Sequence, residues 1–293
     1  MQAKWIYLTF LALIWGSSFI LIALGLEGMN AFQLGSLRIA CAGIFLLAVS
    51  FPMLRQIPKD KWKYVALTGL FGNFIPAYFF ALAETEISSS VSSILNSLTP
   101  LGTIMLGTTI FGLVVKRMQV VGVIVGFIGT LILIFGGALD HPDQNYWFAG
   151  FVVVATLCYA TNVNLVKKYL PDMNPRAITA GNFAVMLVPA LIMLYCSGWF
   201  GVVHTAQAQR SLFFVLILGV MGTGVANILF YKLIQISTPV FATQVTYLIP
   251  IVACGWGILF HEQLTIVQWL GAAVILSGVY LCGKNVPTKK PEP

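Results

Sequence analysis

Apolar stretches of about 20 residues follow one another along almost the whole chain, separated by short polar breaks. A helix of that length crosses a bilayer, and the stretches predict ten helices. They fall near 5–24, 32–53, 64–83, 88–111 and 118–137, then 147–168, 177–197, 211–234, 237–260 and 264–283. The apolar runs are continuous rather than alternating in period two, so helical spans fit and a β-barrel does not. One span departs from the rest. In 88–111, Ser89, Ser92, Ser93, Asn96, Thr99 and Thr103 recur at helical spacing, and Pro100 sits in mid-span. The proline removes a backbone hydrogen bond and kinks the helix. A polar stripe of this kind belongs against a water-filled cavity or another helix, not against lipid.

The pattern returns in 237–260, where Pro250 matches Pro100 at an offset of 150, Thr243 matches Ser93 and Thr246 matches Asn96. Other matches support two halves. Trp15-Gly16-Ser17-Ser18 aligns with Tyr159-Ala160-Thr161-Asn162, and Gln119, Gly122 and Gly129 align with Gln268, Gly271 and Gly278. Five spans per half make the second half enter the membrane from the opposite side. The expected organisation is an inverted-topology repeat, 1–140 and 141–286, followed by a short basic tail, 287–293. Broken helices at equivalent places in inverted repeats point to a binding site between the halves.

Composition agrees. The chain is 59% hydrophobic and 9% charged, with a mean hydropathy of +0.91, which describes an all-α integral membrane protein. The span at 5–24 reads as a retained helix rather than a signal peptide, since its basic region is Lys4 alone. With Lys4 inside, all but Arg38 and Arg210 of the 16 Lys and Arg fall on the cytoplasmic side. That asymmetry places both termini in the cytoplasm, and it makes the net charge of +7 a topology signal rather than the mark of a nucleic-acid partner. The five cysteines lie in apolar stretches without a CxxC pair and read as packing residues; the histidines show no ligand spacing, so no metal is expected. No GxxxxGK[ST] loop is present, so ATP does not drive the chain directly and no cofactor is expected.

Candidate site residues follow from polarity at membrane depth. Arg38 lies about 10 Å below the surface at 1.5 Å per residue. It snorkels to the headgroups, clamps two helices, or meets a substrate carboxylate or phosphate. Trp15 and Ser18, with Tyr159 and Asn162, put polar and aromatic groups on the first helix of each half. Asn73, Pro76 and Tyr78 make the third span another broken helix, and Asn182 and Asn227 add amides to the seventh and eighth. In the kinked pair, Ser92, Ser93, Asn96, Gln244 and Tyr247 are cavity candidates, with Pro76, Pro100 and Pro250 as kink or gating points. The competing reading is that such groups knit helices together. Gly122, Gly126 and Gly129 form a small-residue face for close packing within the chain or for a homodimer. All nine acids fall near predicted surfaces, which favours uniport or exchange over proton symport unless Glu84 or Glu86 dips into the cavity.

Several of these motifs resemble the EamA family of the drug/metabolite transporter superfamily. They are Trp-Gly-Ser-Ser-Phe at 15–19, Arg38 in the second span, and Pro250, His261-Glu262, Gln268, Gly271 and Gly278 in the second half. The resemblance spans the chain and implies two five-helix units, surrounded by membrane lipids, that export a small molecule across a bacterial inner membrane. Amino acids are the implied substrate class; drug or cation efflux, and organic-anion or nucleotide-type carriage, are the alternatives. One departure is that Glu262 has Leu113 as its counterpart, so no symmetric role follows for that Glu. A channel, or an intramembrane lipid-modifying enzyme, is the reading from another class. The enzyme would need a convergent set such as His with Asp and a nucleophile at membrane depth, which the sequence does not offer, so no catalytic role is expected.

Overall fold

The computed structural model describes residues 2–112, 117–140 and 142–283. The expected tail, 287–293, and Leu113 lie outside them. The described residues form helices and their connections, with no strand among them. In chain order the helices are α1 (Gln2–Leu26), α2 (Ala31–Ser50), α3 (Trp62–Gly69), α4 (Ile75–Ala83), α5 (Ser89–Asn96), α6 (Thr99–Thr109), α7 (Arg117–Asp140), α8 (Ala149–Tyr169), α9 (Pro175–Cys196), α10 (Trp199–Val202), α11 (Ala206–Ile217), α12 (Ala226–Ile236), α13 (Pro239–Thr243), α14 (Val245–Leu259) and α15 (Ile266–Gly283). Eight helical stretches, from Lys4–Leu26 to Pro239–Leu259, are each long and apolar enough to cross a bilayer. The broken α5–α6 segment and the shorter α15 bring the predicted spans to ten.

Helix starts are written locally. Asn30 and Gln33 form a reciprocal capping box at α2, with bonds of 2.9 and 3.0 Å. Ser88 caps α5, Asn174 caps α9 just before Pro175, and Thr238 caps α13 just before Pro239. Each cap satisfies a donor that the first turn leaves free, and proline at the first helical position gives up nothing.

The fourth span breaks at Ser97 and Leu98, before Pro100 rather than at it. Pro100 has no N–H for the Asn96 carbonyl, and the Thr99 hydroxyl takes that place at 2.8 Å. The ninth span breaks earlier, between α13 and α14 near Gln244, and Pro250 lies inside α14. The matched prolines therefore do not break their spans at matched positions. The third span of each half carries a closer correspondence. A π-helical stretch occupies Leu70–Phe74 in one and Leu218–Val225 in the other. In the first, the Ile75 N–H reaches back five residues to the Leu70 carbonyl just ahead of Pro76. Such widened turns are common at functional positions in helices.

Repeat-related helices pack against each other. α2 runs against α9, and α7 runs against α15. The second pair is backbone against backbone. A Cβ at Gly129 would fall 2.6 Å from the Ile275 nitrogen, and one at Gly271 would fall 2.8 Å from Leu133 Cβ. The small-residue face of the fifth span is thus spent on packing within the chain. The lipid-facing surface keeps its large apolar groups, Phe127 and Phe135 on α7 and Leu270 and Tyr280 on α15 among them. Glu27, Glu84 and Glu262 sit in turns at one end of the bundle, the acidic end; Lys61, Lys63 and Lys232 lie toward the other.

Candidate functional site

A cavity lies at mid-depth between the halves. The first half supplies Trp15, Ser18, Phe19 and Ile22 from α1, Arg38 from α2, Gly72 and Asn73 from the widened third span, Phe80 from α4, and Asn96 and Thr99 from the break in the fourth. The second supplies Tyr159 and Asn162 from α8, Thr223 from its own widened turn, Asn227 and Phe230 from α12, and Thr243, Val245, Thr246 and Ile249 from the ninth span.

The two widened turns contribute Asn73 and Thr223 to this wall. Asn227 donates to Asn73 Oδ1 at 2.8 Å and to its own Thr223 carbonyl at 2.7 Å. The Nδ2 of Asn73 is left without a partner. Trp15 donates its indole N–H to the Gly222 carbonyl at 2.9 Å, and its ring packs edge-on to Phe230 at 4.9 Å. Arg38 is 8% exposed, so it does not snorkel. Its Nε donates to Thr223 Oγ1 at 2.7 Å, and the Tyr159 hydroxyl stands beside the guanidinium. The arginine is therefore both a clamp between halves and the cation of the cavity wall. Asn162 reaches the Tyr231 hydroxyl at 3.4 Å, and Tyr231 also bonds Asn182 at 2.7 Å. Toward the acidic end, Phe19 and Phe80 meet edge-to-face at 5.6 Å, and Phe80 stacks on Tyr159 at 5.9 Å.

Other candidates lie elsewhere. The Tyr78 hydroxyl pairs with Ser36 at 2.9 Å, and its ring fills the space over Gly35, so it joins α4 to α2. Ser93 bonds back to the Ser90 carbonyl at 2.7 Å. Gln244 is half-buried at the α13–α14 junction, and the Tyr247 hydroxyl donates to the Val279 carbonyl at 3.3 Å. Ser92 is fully buried and its hydroxyl has no partner. It sits not on the cavity but next to Glu84 toward the acidic end. Pro76 follows the widened turn of the third span, whereas Pro100 and Pro250 are buried beside and within the broken spans. Sequence reasoning missed Phe19, Ile22, Phe80, Phe230 and Ile249, because an apolar side chain on a membrane span carries no mark of whether it faces lipid or cavity. Thr223 had a signal that periodicity cannot register, the Gly-Thr-Gly run at 222–224 within an apolar span.

The acids at the acidic end are not all at the surface. Glu86 accepts from the Asn145 backbone at 3.1 Å in an exposed turn. Glu262 reaches across the halves to the start of α5. It accepts from Ser89 N and Oγ at 3.0 and 2.6 Å and from Ser90 N and Oγ at 3.0 and 2.5 Å. A carboxylate at a helix N-terminus meets both free N–H groups and the positive end of the dipole. Glu84, one turn beyond Phe80, has both carboxyl oxygens buried and neither hydrogen-bonded.

A helical bundle of bilayer-length spans with a polar cavity between its halves defines a class, the membrane transporters. The model of the EamA-like transporter family matches residues 3–135 and again 147–283, and the chain belongs to that family. It is similar to an uncharacterized inner membrane transporter, YedA, of Escherichia coli (strain K12), 27% identical with 96% of this chain and 91% of that one covered. It is also similar to a probable amino-acid metabolite efflux pump of Salmonella typhimurium, 27% identical with 92% and 90% covered. A solved crystal structure superposes with a TM-score of 0.66 over 96% of both chains at 14% identity, a likeness of fold alone.

Proposed function

We propose that this transporter works by alternating access and exports small zwitterionic metabolites, amino acids first among them, across the bacterial inner membrane. The two repeats, 1–140 and 141–286, form the moving halves, with both termini in the cytoplasm. The observation that carries the reading is the buried Arg38, bonded through Nε to Thr223 and lining a cavity otherwise rich in amides and hydroxyls. An Arg held by Nε to Thr223, with the Tyr159 hydroxyl beside it, can turn its planar fork to a carboxylate, which the fork matches in two places. Ser18, Asn73, Asn96, Tyr159 and Asn162 complete the polar contacts, and Trp15, Phe19, Phe80 and Phe230 offer an apolar surface for a side chain. The Salmonella relative named as an amino-acid metabolite efflux pump points to the same substrate class. A cationic drug would want a carboxylate in the pocket; the buried one, Glu84, lies outside the cavity lining.

The test is counterflow in liposomes with labelled amino acids and small organic anions. Saturable exchange that falls about tenfold or more in Arg38→Ala, the loss expected for a charge-assisted contact, supports the reading. A folded protein that exchanges neither class above empty liposomes defeats it.

A further inference from the structure

Two carboxyl groups at the acidic end occupy opposite environments. Glu262 has four donors. Glu84 has none, although both its oxygens are buried. The groups that face it come from three elements: Arg38 from α2, Ser92 from α5, and Glu262 from the turn after α14. Beyond Glu262 on α14 stands the Cys254 thiol. Ser92 is fully buried, and its hydroxyl too lacks a partner. Glu84 does not line the cavity, so a ligand as large as a metabolite has no room beside it. A proton needs none. Burial and the neighbouring Glu262 carboxylate favour a protonated Glu84, against the Ser92 hydroxyl and Arg38, which favour the ionised form. Burial without a hydrogen-bond partner favours the neutral form of a carboxyl group.

The corner is also a junction between moving parts. Glu262 belongs to the second half and its four donors belong to the first. Beneath it, Phe80 of α4 and Phe19 of α1, both lining the cavity, meet edge-to-face toward the same end. Separating Glu262 from Ser89 and Ser90 would admit water to Glu84, and a hydrated carboxyl releases its proton.

We infer that Glu84 is a proton-binding site of the transport cycle, occupied while the Glu262 latch holds the acidic end closed and vacated when that end opens. The balance is simple. On closure the Glu84 carboxylate takes one proton from water and becomes a carboxylic acid; on opening the O–H bond breaks and the proton returns to the aqueous side. Higher pH therefore favours the open acidic end. The inference rests on the alternating-access reading, but its first measurement needs no substrate.

That measurement is infrared spectroscopy of the full-length chain in lipid nanodiscs across a pH series. A carbonyl band of a protonated carboxylic acid is expected at neutral pH. It should be absent in Glu84→Gln, displaced in Ser92→Ala and unchanged in Glu86→Gln. In Glu262→Gln, which removes the neighbouring charge and loosens the latch, the proton affinity should fall about tenfold. No such band at neutral pH, or a band that survives Glu84→Gln, overturns the site. The second measurement uses Ile22→Cys, with the native cysteines replaced, and a membrane-impermeant maleimide. Labelling, divided by that of an exposed control cysteine to remove the thiol's own pH dependence, should rise several-fold as pH is raised, and this ratio should be low and independent of pH when Glu84→Gln is added. Persistence of the pH dependence in that variant overturns the link to opening. A failure of amino-acid counterflow would leave the infrared result untouched and would count against the proposed substrate instead.

Discussion

Arg38 donates its Nε to Thr223 Oγ1 at 2.7 Å, joining the second span of one half to the widened turn of the eighth in the other. The pairing sets where the remaining guanidinium nitrogens point. Lys at this position would keep the charge but lose the Nε contact and the planar fork. Arg38→Lys is therefore expected to weaken saturable exchange by roughly 10-fold or more, the scale of a lost charge-assisted bond. Thr223→Val keeps the arginine and its charge but frees its orientation. It should cost less, about 5-fold for one hydrogen bond of about 1 kcal/mol. Equal losses in the two variants, read from counterflow rates, would show that the Nε clamp rather than the planar fork matters.

The Asn73–Asn227 bond ties the two third spans at the cavity wall. Asn227→Ala removes the donor and leaves Asn73 with both amide atoms unpaired in a buried setting. A buried polar group left unsatisfied costs about 1–3 kcal/mol, so the variant should melt lower in a thermal-shift assay. Asn227→Asp should be worse, since a carboxylate cannot donate to Asn73 Oδ1 and brings an unpaired charge to membrane depth. Asn227→Asp at least as stable as the native chain would contradict the observed pairing.

The spans, the halves and the interest of the Pro100 and Pro250 helices were legible because each has a one-dimensional signature: length in apolar residues, fixed offsets, a polar stripe. The Trp15, Arg38, Asn73 and Asn162 positions were legible for the same reason, since a polar group at membrane depth must face something other than lipid. Ser93 and Tyr78 look identical in sequence, yet their hydroxyls turn to a backbone carbonyl and to Ser36. Which neighbour satisfies a hydroxyl is decided by helix rotation, which periodicity does not encode. The Glu262 latch was hidden more deeply. Its donors lie 172 and 173 residues away, and Leu113 at the matching position gave no hint of a partner. The widened turns were also invisible, because a π stretch adds a residue to a turn without changing the apolar character of the span.

The α7–α15 contact makes a prediction about folding rather than transport. Gly129→Ala places a methyl 2.6 Å from the Ile275 nitrogen and 3.0 Å from the Gly271 carbonyl, both backbone atoms. Neither can turn aside as a side chain would, so the helices must separate, at a cost of about 1–3 kcal/mol. Gly255→Ala is the control: it lies within α14, and nothing stands within 4 Å of the added carbon. Helix preference favours Ala over Gly there by roughly 0.4–1 kcal/mol. The first variant should melt below the native protein and the second at or above it. If both shift alike, the glycine contact between the fifth and tenth spans is not the close one described.

The break in the fourth span depends on Pro100 in a way that can be tested. With the proline present, the Asn96 carbonyl has no backbone donor four residues on and is served by the Thr99 hydroxyl at 2.8 Å. Pro100→Ala restores that donor, and the backbone can continue as one helix through Ser97 and Leu98. Pro100 stands in the first turn of α6, where a proline costs little, so the variant should be no less stable than the native chain. Continuation would rotate Asn96 and Thr99 out of the cavity wall they now share. The expected result is a thermal-shift midpoint at or above the native value together with a loss of most counterflow. Full exchange in a stable Pro100→Ala chain would mean that the break does not matter to the cavity. A drop in both stability and exchange would mean that Pro100 is held by packing rather than by the missing hydrogen bond.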